Sequence, residues 1–156
     1  MMPRISEFKK SCVKFMPLSL SFISDVSKIE KECFSEPWSE KSILEAFNNQ
    51  NSYFVVAALE NDIIGYAGMY CVCDEGYIYN IAVRKQYRGL GVGKRLLICL
   101  EDYSKQNKLK FLTLEVRNTN NIAINLYEKS LFTKVGVRKD FYSNPKEDAI
   151  IMTKYF

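Results

Sequence analysis

Arg88-Gly89-Leu90-Gly91-Val92-Gly93 stands between two unlike patterns of apolar residues. Before it, Tyr77, Tyr79, Ile81 and Val83 alternate with Ile78 and Ala82, the period-two signature of a strand. After it, Val92, Leu96, Leu100 and Tyr103, joined by Leu97, recur at helical spacing. The hexapeptide therefore marks a strand-to-helix junction. Gly91 and Gly93 let backbone N–H groups approach an anion closely, and the helix that follows turns its positive end toward it. Arg84, Lys85, Arg88, Lys94 and Arg95 add positive charge nearby, which suits a diphosphate-bearing cofactor better than a neutral metabolite. Two familiar phosphate loops fail letter by letter. A Walker loop ending on Gly93-Lys94 needs glycine at position 88 and serine or threonine at position 95, and arginine occupies both. A dinucleotide fingerprint starting at Gly89 needs glycine at position 94, which is lysine. The plain alternative is a tight turn whose glycines only relieve crowding at the helix start.

Working outward, Cys12 to Met16 reads as a first strand, and Leu18 or Ser19 opens a helix with Phe22, Ile23, Val26, Ile29 and Cys33 near one face. After a Pro37-Trp38 bend, Ser39 caps a second helix carrying Ile43, Leu44 and Phe47. Tyr53 to Leu59 and Ile63 to Val72 are strands joined at Asn61-Asp62, and a turn at Asp74-Glu75-Gly76 leads into the strand before the glycines. The succession is an antiparallel meander. Downstream, the helix ends near Asn107, Phe111 to Val116 is a strand, Asn121 to Lys129 a helix, and Val135 to Phe141 with Ala149 to Met152 a last strand pair. Runs apolar on both faces, such as Tyr53 to Leu59, call for a sheet covered by helices. The fold class is α/β in the mixed, α+β sense. Residues 1–10 read as a lead-in and 11–156 as one domain, with no internal repeat or long linker.

A chain of 156 residues with 47% hydrophobic composition can build one core. The net charge of +4 is small and its lysines are dispersed, so direct nucleic-acid binding is not expected. No 18-residue apolar run and no signal-peptide pattern occurs, so membrane binding is not expected either. Five cysteines, Cys12, Cys33, Cys71, Cys73 and Cys99, suit a reducing, cytoplasmic setting. Cys71 and Cys73 would share a strand face, but without a second pair or a histidine they are a weak zinc signal, and no metal is expected. The chain has no histidine, which removes every Ser-His and Cys-His nucleophilic device.

With these residues in view, the sequence resembles the GCN5-related N-acetyltransferases (GNAT), whose acetyl-coenzyme A motif is Arg or Gln, two residues, Gly, one residue, then Gly or Ala. Arg88 to Gly93 fits it in full, and Asn80-Ile81-Ala82-Val83 matches the strand before it. The resemblance narrows to the ribosomal-protein alanine N-acetyltransferases through Phe34-Ser35-Glu36-Pro37-Trp38-Ser39, Leu114-Glu115-Val116-Arg117-Asn118-Thr119-Asn120, Ala123-Ile124-Asn125-Leu126-Tyr127-Glu128 and Asp148-Ala149-Ile150-Ile151-Met152. It implies the acyl-coenzyme A acyltransferase fold, a mostly antiparallel twisted sheet of about seven strands with four helices.

The resemblance also implies the site. Ile81, Ala82 and Val83 would meet the pantetheine arm and supply a backbone N–H to the thioester carbonyl. Arg88, Gly89, Leu90, Gly91, Val92, Gly93 and Lys94 would hold the pyrophosphate, and Asn120 would hydrogen-bond the cofactor, acetyl-CoA. Glu115 falls on the general base and Tyr127 on the acid that protonates the departing thiolate. Phe34 and Trp38, with Asp140, Phe141 and Tyr142 in a loop entering the last strand pair, would flank the acceptor, and Glu36 and Asp140 are candidates to attract its basic residues. Each has a plainer role. Glu115 is then a strand-end charge paired with Arg117 or Lys110, Tyr127 a packed ring, Asn120 a helix N-cap, and Phe34 and Trp38 core residues.

The implied reaction is acetyl transfer to the N-terminal alanine of a small-subunit ribosomal protein. Other protein N-termini, small-molecule amines and a noncatalytic acyl-CoA sensor are the alternatives, and monomer and weak dimer both stay open. Two departures bear on the acceptor. Leu131-Phe132 replaces the usual Gly-Phe, so leucine would impose a different helix ending if glycine served a positive φ there. The loop Ser143-Asn144-Pro145-Lys146-Glu147 is slightly shorter than in the enzymes it resembles.

Overall fold

The computed structural model describes residues 12–156. The expected lead-in, residues 1–10, lies outside them. The chain runs through β1 (Val13–Pro17), α1 (Ile23–Cys33), α2 (Glu40–Asn48), β2 (Ser52–Leu59), β3 (Asp62–Val72), β4 (Glu75–Val83), α3 (Val92–Gln106), β5 (Phe111–Arg117), α4 (Asn121–Lys129), β6 (Thr133–Ser143) and β7 (Lys146–Tyr155). Short 3-10 turns at Leu20–Phe22 and Lys85–Tyr87 precede α1 and the glycine segment. The strands form one seven-stranded sheet in the order β1-β2-β3-β4-β5-β7-β6. Two-residue turns link β2 to β3 and β3 to β4, which leaves only antiparallel pairing for these neighbours. The pair β4/β5 is parallel, and α3 supplies the crossover that parallel strands need. Beyond it β7 pairs antiparallel with both β5 and β6.

By its internal contacts the chain divides into two compact units, one of residues up to 68 with 80–100, the other of 69–79 with 101–156. In the first, Val26 and Ile29 of α1, Ile43 of α2, Val56 and Ala57 of β2, Ile64 and Tyr66 of β3 and Leu96 of α3 are buried. The centres of β2 and β3 are buried residue after residue, as strands covered on both faces must be. The Ser39 hydroxyl accepts from the Ser42 N–H at 3.1 Å and caps α2 as expected.

In the second unit β5 alternates, with Leu112, Leu114 and Val116 buried and Thr113, Glu115 and Arg117 on the more open face. The edge strand β6 is exposed along nearly its whole length. Lys134, Arg138, Lys139 and Asp140 and two register shifts keep that edge from templating another strand. α4 closes with Leu131 at φ 72, its N–H bonded to Glu128 O at 3.0 Å, and the Phe132 N–H bonded to Tyr127 O at 2.9 Å. This is the Schellman ending, completed by packing of the Tyr127 and Phe132 rings, 5.8 Å apart. Leucine thus does not impose a different helix ending. It takes the left-handed conformation that glycine adopts without strain, with its side chain in solvent.

Three further expectations shift. Glu75 and Gly76 already belong to β4, so the preceding turn is Cys73-Asp74. Cys73, at φ 53, therefore leaves the strand and does not share a face with Cys71. Asp140, Phe141 and Tyr142 are not in a loop but inside β6, at an irregularity where four steps from Arg138 to Tyr142 answer two from Ala149 to Glu147.

Candidate active site

The glycine segment lies in the first unit. Arg88 is extended, Gly89 has φ 76 and Gly91 φ 83, and α3 begins at Val92. The left-handed residues are thus Gly89 and Gly91, whereas Gly93 falls in the first turn of the helix. A Cβ on Gly89 would meet no atom within 4 Å, so glycine is required there by backbone conformation and not by space. Arg95 N–H bonds to Gly91 O at 3.1 Å, which leaves the N–H groups of the first helical turn outside the helix's own ladder. The Arg88 side chain turns away from those groups. Its Nε donates to Val83 O at 2.9 Å and one Nη reaches Cys33 Sγ at 3.3 Å, fastening the loop to the end of β4. Burial pushes the Cys33 thiol above its ordinary pKa. Ala82 is buried, Ile81 and Val83 half-buried, and Lys94 exposed at the helix start. Two left-handed glycines, the N–H groups of the helix start that follows and an exposed lysine beside them fit a diphosphate.

Phe34 and Trp38 are half-buried in the same unit, on the segment between α1 and α2, with Glu36 exposed between them. Both ends of that segment are held by Glu30. Its backbone carbonyl accepts from Phe34 N–H at 2.9 Å, and its side chain accepts from Trp38 N–H at 3.1 Å.

The second unit holds Glu115 on the open face of β5, opposite Ile151 of β7. Its plain-role partners are engaged elsewhere, Arg117 with Glu147 at 3.2 Å and Lys110 with Asp74 at 2.7 Å. Glu115 Oε1 instead meets Arg138 Nε at 3.4 Å, across from β6. Tyr70 of β3 faces the same place: burial, then the neighbouring Tyr79, then the Glu115 charge, hold its phenol up, against Arg138. Tyr142 is pushed up to about 12, first by burial and then by Glu115. Its ring takes the Arg117 guanidinium at 4.3 Å and packs edge-on against Phe141. The residues around this carboxylate are thus the Arg138 guanidinium and the phenols of Tyr70 and Tyr142.

Tyr127 is buried in α4, and its hydroxyl has no partner among the described residues. Burial raises its pKa far above the ordinary phenol value, so it stays protonated at neutral pH. Asn120 caps α4, Oδ1 accepting from Ala123 N–H at 3.2 Å. Its amide nitrogen has no partner among the described residues. Asp140 is exposed, its N–H bonded to Asp148 Oδ1 at 2.8 Å and its carboxylate 3.6 Å from Lys146. The loop from Ser143 to Glu147 is pinned by Arg117, which donates to Asn144 O and Pro145 O, and by Glu147, which accepts from Thr119 N–H and Oγ1 at 2.7 Å each. No cluster of His, Cys, Asp and Glu among the described residues could hold a metal ion, and no described helix is long and apolar enough to cross a membrane.

Residues 23–131 match the Acetyltransferase (GNAT) family. The chain belongs to that family. It is 37% identical over 133 residues to the ribosomal protein bS18-alanine N-acetyltransferase of Haemophilus influenzae, covering 82% of this chain and 88% of the relative. The crystal structure of the ribosomal-protein-S18-alanine N-acetyltransferase from Escherichia coli superposes with a TM-score of 0.85 at 30% identity, covering 92% of this chain and 93% of that one. Arabidopsis thaliana NAA60 in complex with acetyl-CoA shares the fold at a TM-score of 0.85 and 20% identity, over 92% and 98% of the two chains.

Within this acetyltransferase four residues escaped the sequence reading. Glu30 had a visible signal, a carboxylate at a core position of the stripe Val26, Ile29, Glu30, Cys33. Arg138, Tyr70 and Tyr79 had none, because what brings Arg138 and Tyr70 to Glu115, and Tyr79 to Tyr70, is strand register.

Proposed function

We propose that this acetyltransferase moves the acetyl group of acetyl-CoA to the α-amine of the N-terminal alanine of a small-subunit ribosomal protein, and that residues 11–156 act as one domain. The observation that carries the chemistry is Glu115, a part-exposed carboxylate among tyrosines in a chain without histidine. The acceptor is inferred from the two alanine N-acetyltransferases, which match this chain from near one end to the other.

The segment from Arg88 to Lys94 would take the pyrophosphate on its N–H groups, with Ile81 to Val83 beside the pantetheine arm and Asn120 contributing its free amide. Acetyl-CoA supplies a thioester with a good leaving group. Glu115 removes the proton of the α-ammonium, directly or through water, and the freed amine forms the C–N bond as the C–S bond breaks. Tyr127 gives its proton to the departing sulfur, and the second proton shed by the nitrogen as it becomes an amide passes through water to the tyrosinate, so acid and base work are divided between two groups. An α-amine, with a pKa of about 8, is more easily freed than a lysine amine at about 10.4. Phe34, Trp38, Asp140 and Tyr142 are the residues that would contact the acceptor chain.

Incubation with acetyl-CoA and ribosomal proteins, read by intact mass and fragment sequencing, should place a single acetyl group on a mature chain that begins with alanine. Adducts confined to lysines or polyamines would overturn the acceptor assignment. Acetyl-CoA binding without any adduct would favour a sensor.

A further inference from the structure

Glu30 is fully buried, and among the described residues no lysine or arginine pairs with it. Instead three donors converge on its carboxylate. Trp38 N–H donates to Oε2, while Asn80 Nδ2, at 2.9 Å, and the Tyr66 hydroxyl donate to Oε1. A buried carboxylate is tolerated only when its lone pairs are satisfied in this way. Tyr66 is itself nearly inaccessible, and burial together with the Glu30 charge keeps its phenol protonated, hence a donor. The donors come from distinct parts of the first unit. Tyr66 belongs to β3, Asn80 to β4 immediately before Ile81, and Trp38 to the segment after α1. The backbone carbonyl of the same residue accepts from Phe34 N–H, so Glu30 brackets Phe34 to Trp38 at both ends.

We propose that Glu30 is a positioning residue for the acceptor: it latches the Phe34–Trp38 segment to the strand that leads into the cofactor-binding stretch. This rests on the reading of Phe34 and Trp38 as acceptor-lining residues. The segment is short and lacks secondary structure of its own, so these bonds help to fix its placement. Because Asn80 shares the carboxylate with Trp38, the side chain next to Ile81 on β4 and the Trp38 end of the aromatic segment are tied to one group, while the Phe34 end is held by the Glu30 backbone carbonyl. Loosening it enlarges the set of conformations from which the acceptor must select, and apparent acceptor affinity falls by the fraction lost.

The chain's single tryptophan, Trp38, reports the latch directly. E30Q keeps the shape but replaces one acceptor oxygen by a donor, so it cannot serve all three partners. The expected result is a red-shifted and more readily quenched Trp38 emission, an acceptor KM raised about five- to tenfold, kcat within about twofold, and an unchanged acetyl-CoA dissociation constant. Y66F removes one donor without changing the ring, and gives the same changes on a smaller scale if E30Q does not fold. Wild-type emission and acceptor KM in a folded variant overturn the proposal, as does a fall confined to kcat. E115Q, run alongside, separates this from the base assignment. If E115Q transfers acetyl at the wild-type rate the base assignment falls, whereas the latch is judged on emission and KM.

Discussion

The glycine segment and the face around Glu115 use the chain in opposite ways. The first is six consecutive residues whose capability lies in the backbone, with Gly89 and Gly91 at positive φ and the open N–H groups of α3 beyond them. The second is assembled from side chains on separate strands, Glu115 on β5, Arg138 and Tyr142 on β6, Tyr70 on β3 and Tyr79 on β4, none of which means anything alone. Backbone chemistry is local and reads as a motif. Side-chain chemistry on a sheet depends on register, which distant residues set.

That contrast can be broken at either end. The largest effect is expected from E115Q, which should lower kcat by about 10²–10⁴ while leaving the acetyl-CoA dissociation constant unchanged, with Y127F falling less within the same range. If E115Q instead abolished cofactor binding, the two regions would not have separable tasks. G89A tests the loop through torsion alone, since the added methyl touches nothing. A strain of about 1–2 kcal/mol should weaken acetyl-CoA binding about tenfold, with little change in kcat at saturation; an unchanged dissociation constant would reduce Gly89 to a turn.

L131G probes the ending of the helix that carries Tyr127. Relief of the left-handed leucine, partly offset by the greater freedom of glycine when unfolded, is worth about 1 kcal/mol. The thermal midpoint should rise by about 2–4 °C, and no rise would show that Leu131 is compensated by contacts. The smallest effect concerns the β6–β7 turn. The Thr119 hydroxyl, the Thr119 N–H and Arg117 hold the Glu147 carboxyl below its usual range. A depressed native pKa contributes stability above the unfolded value of about 4.3 and loses it as pH falls through the native one. Amide exchange in the turn should therefore be slower in the wild type than in E147Q at pH 7, and the difference should vanish in acid. A difference that persisted would mean that packing, and not the carboxylate, pins the turn.

Much of this was legible in the chain. The bounds of α4 follow from Asn120, which does act as an N-cap, and from the periodicity behind it. The β4 and β5 alternations survive because one face of each is buried. What escaped is instructive. Tyr142 reads as loop, and Phe141 as a strand end running into it, because the irregularity in β6 breaks the alternation on which a strand is recognised. Leu131 read as an obstacle because propensity opposes leucine at positive φ, yet the Schellman bonds and the Tyr127–Phe132 packing outweigh that cost.

The amino-acid sequence by itself determined the order of elements, the strand-to-helix junction at Arg88 to Gly93 and the exclusion of histidine chemistry, because each rests on neighbours along the chain. Only the tertiary structure decided that Arg138 rather than Arg117 or Lys110 meets Glu115, that Arg88 fastens the loop to β4, and that Glu30 closes on Trp38, Tyr66 and Asn80. Those contacts join residues far apart in sequence, and their partners are chosen by strand register and burial, which no local pattern encodes.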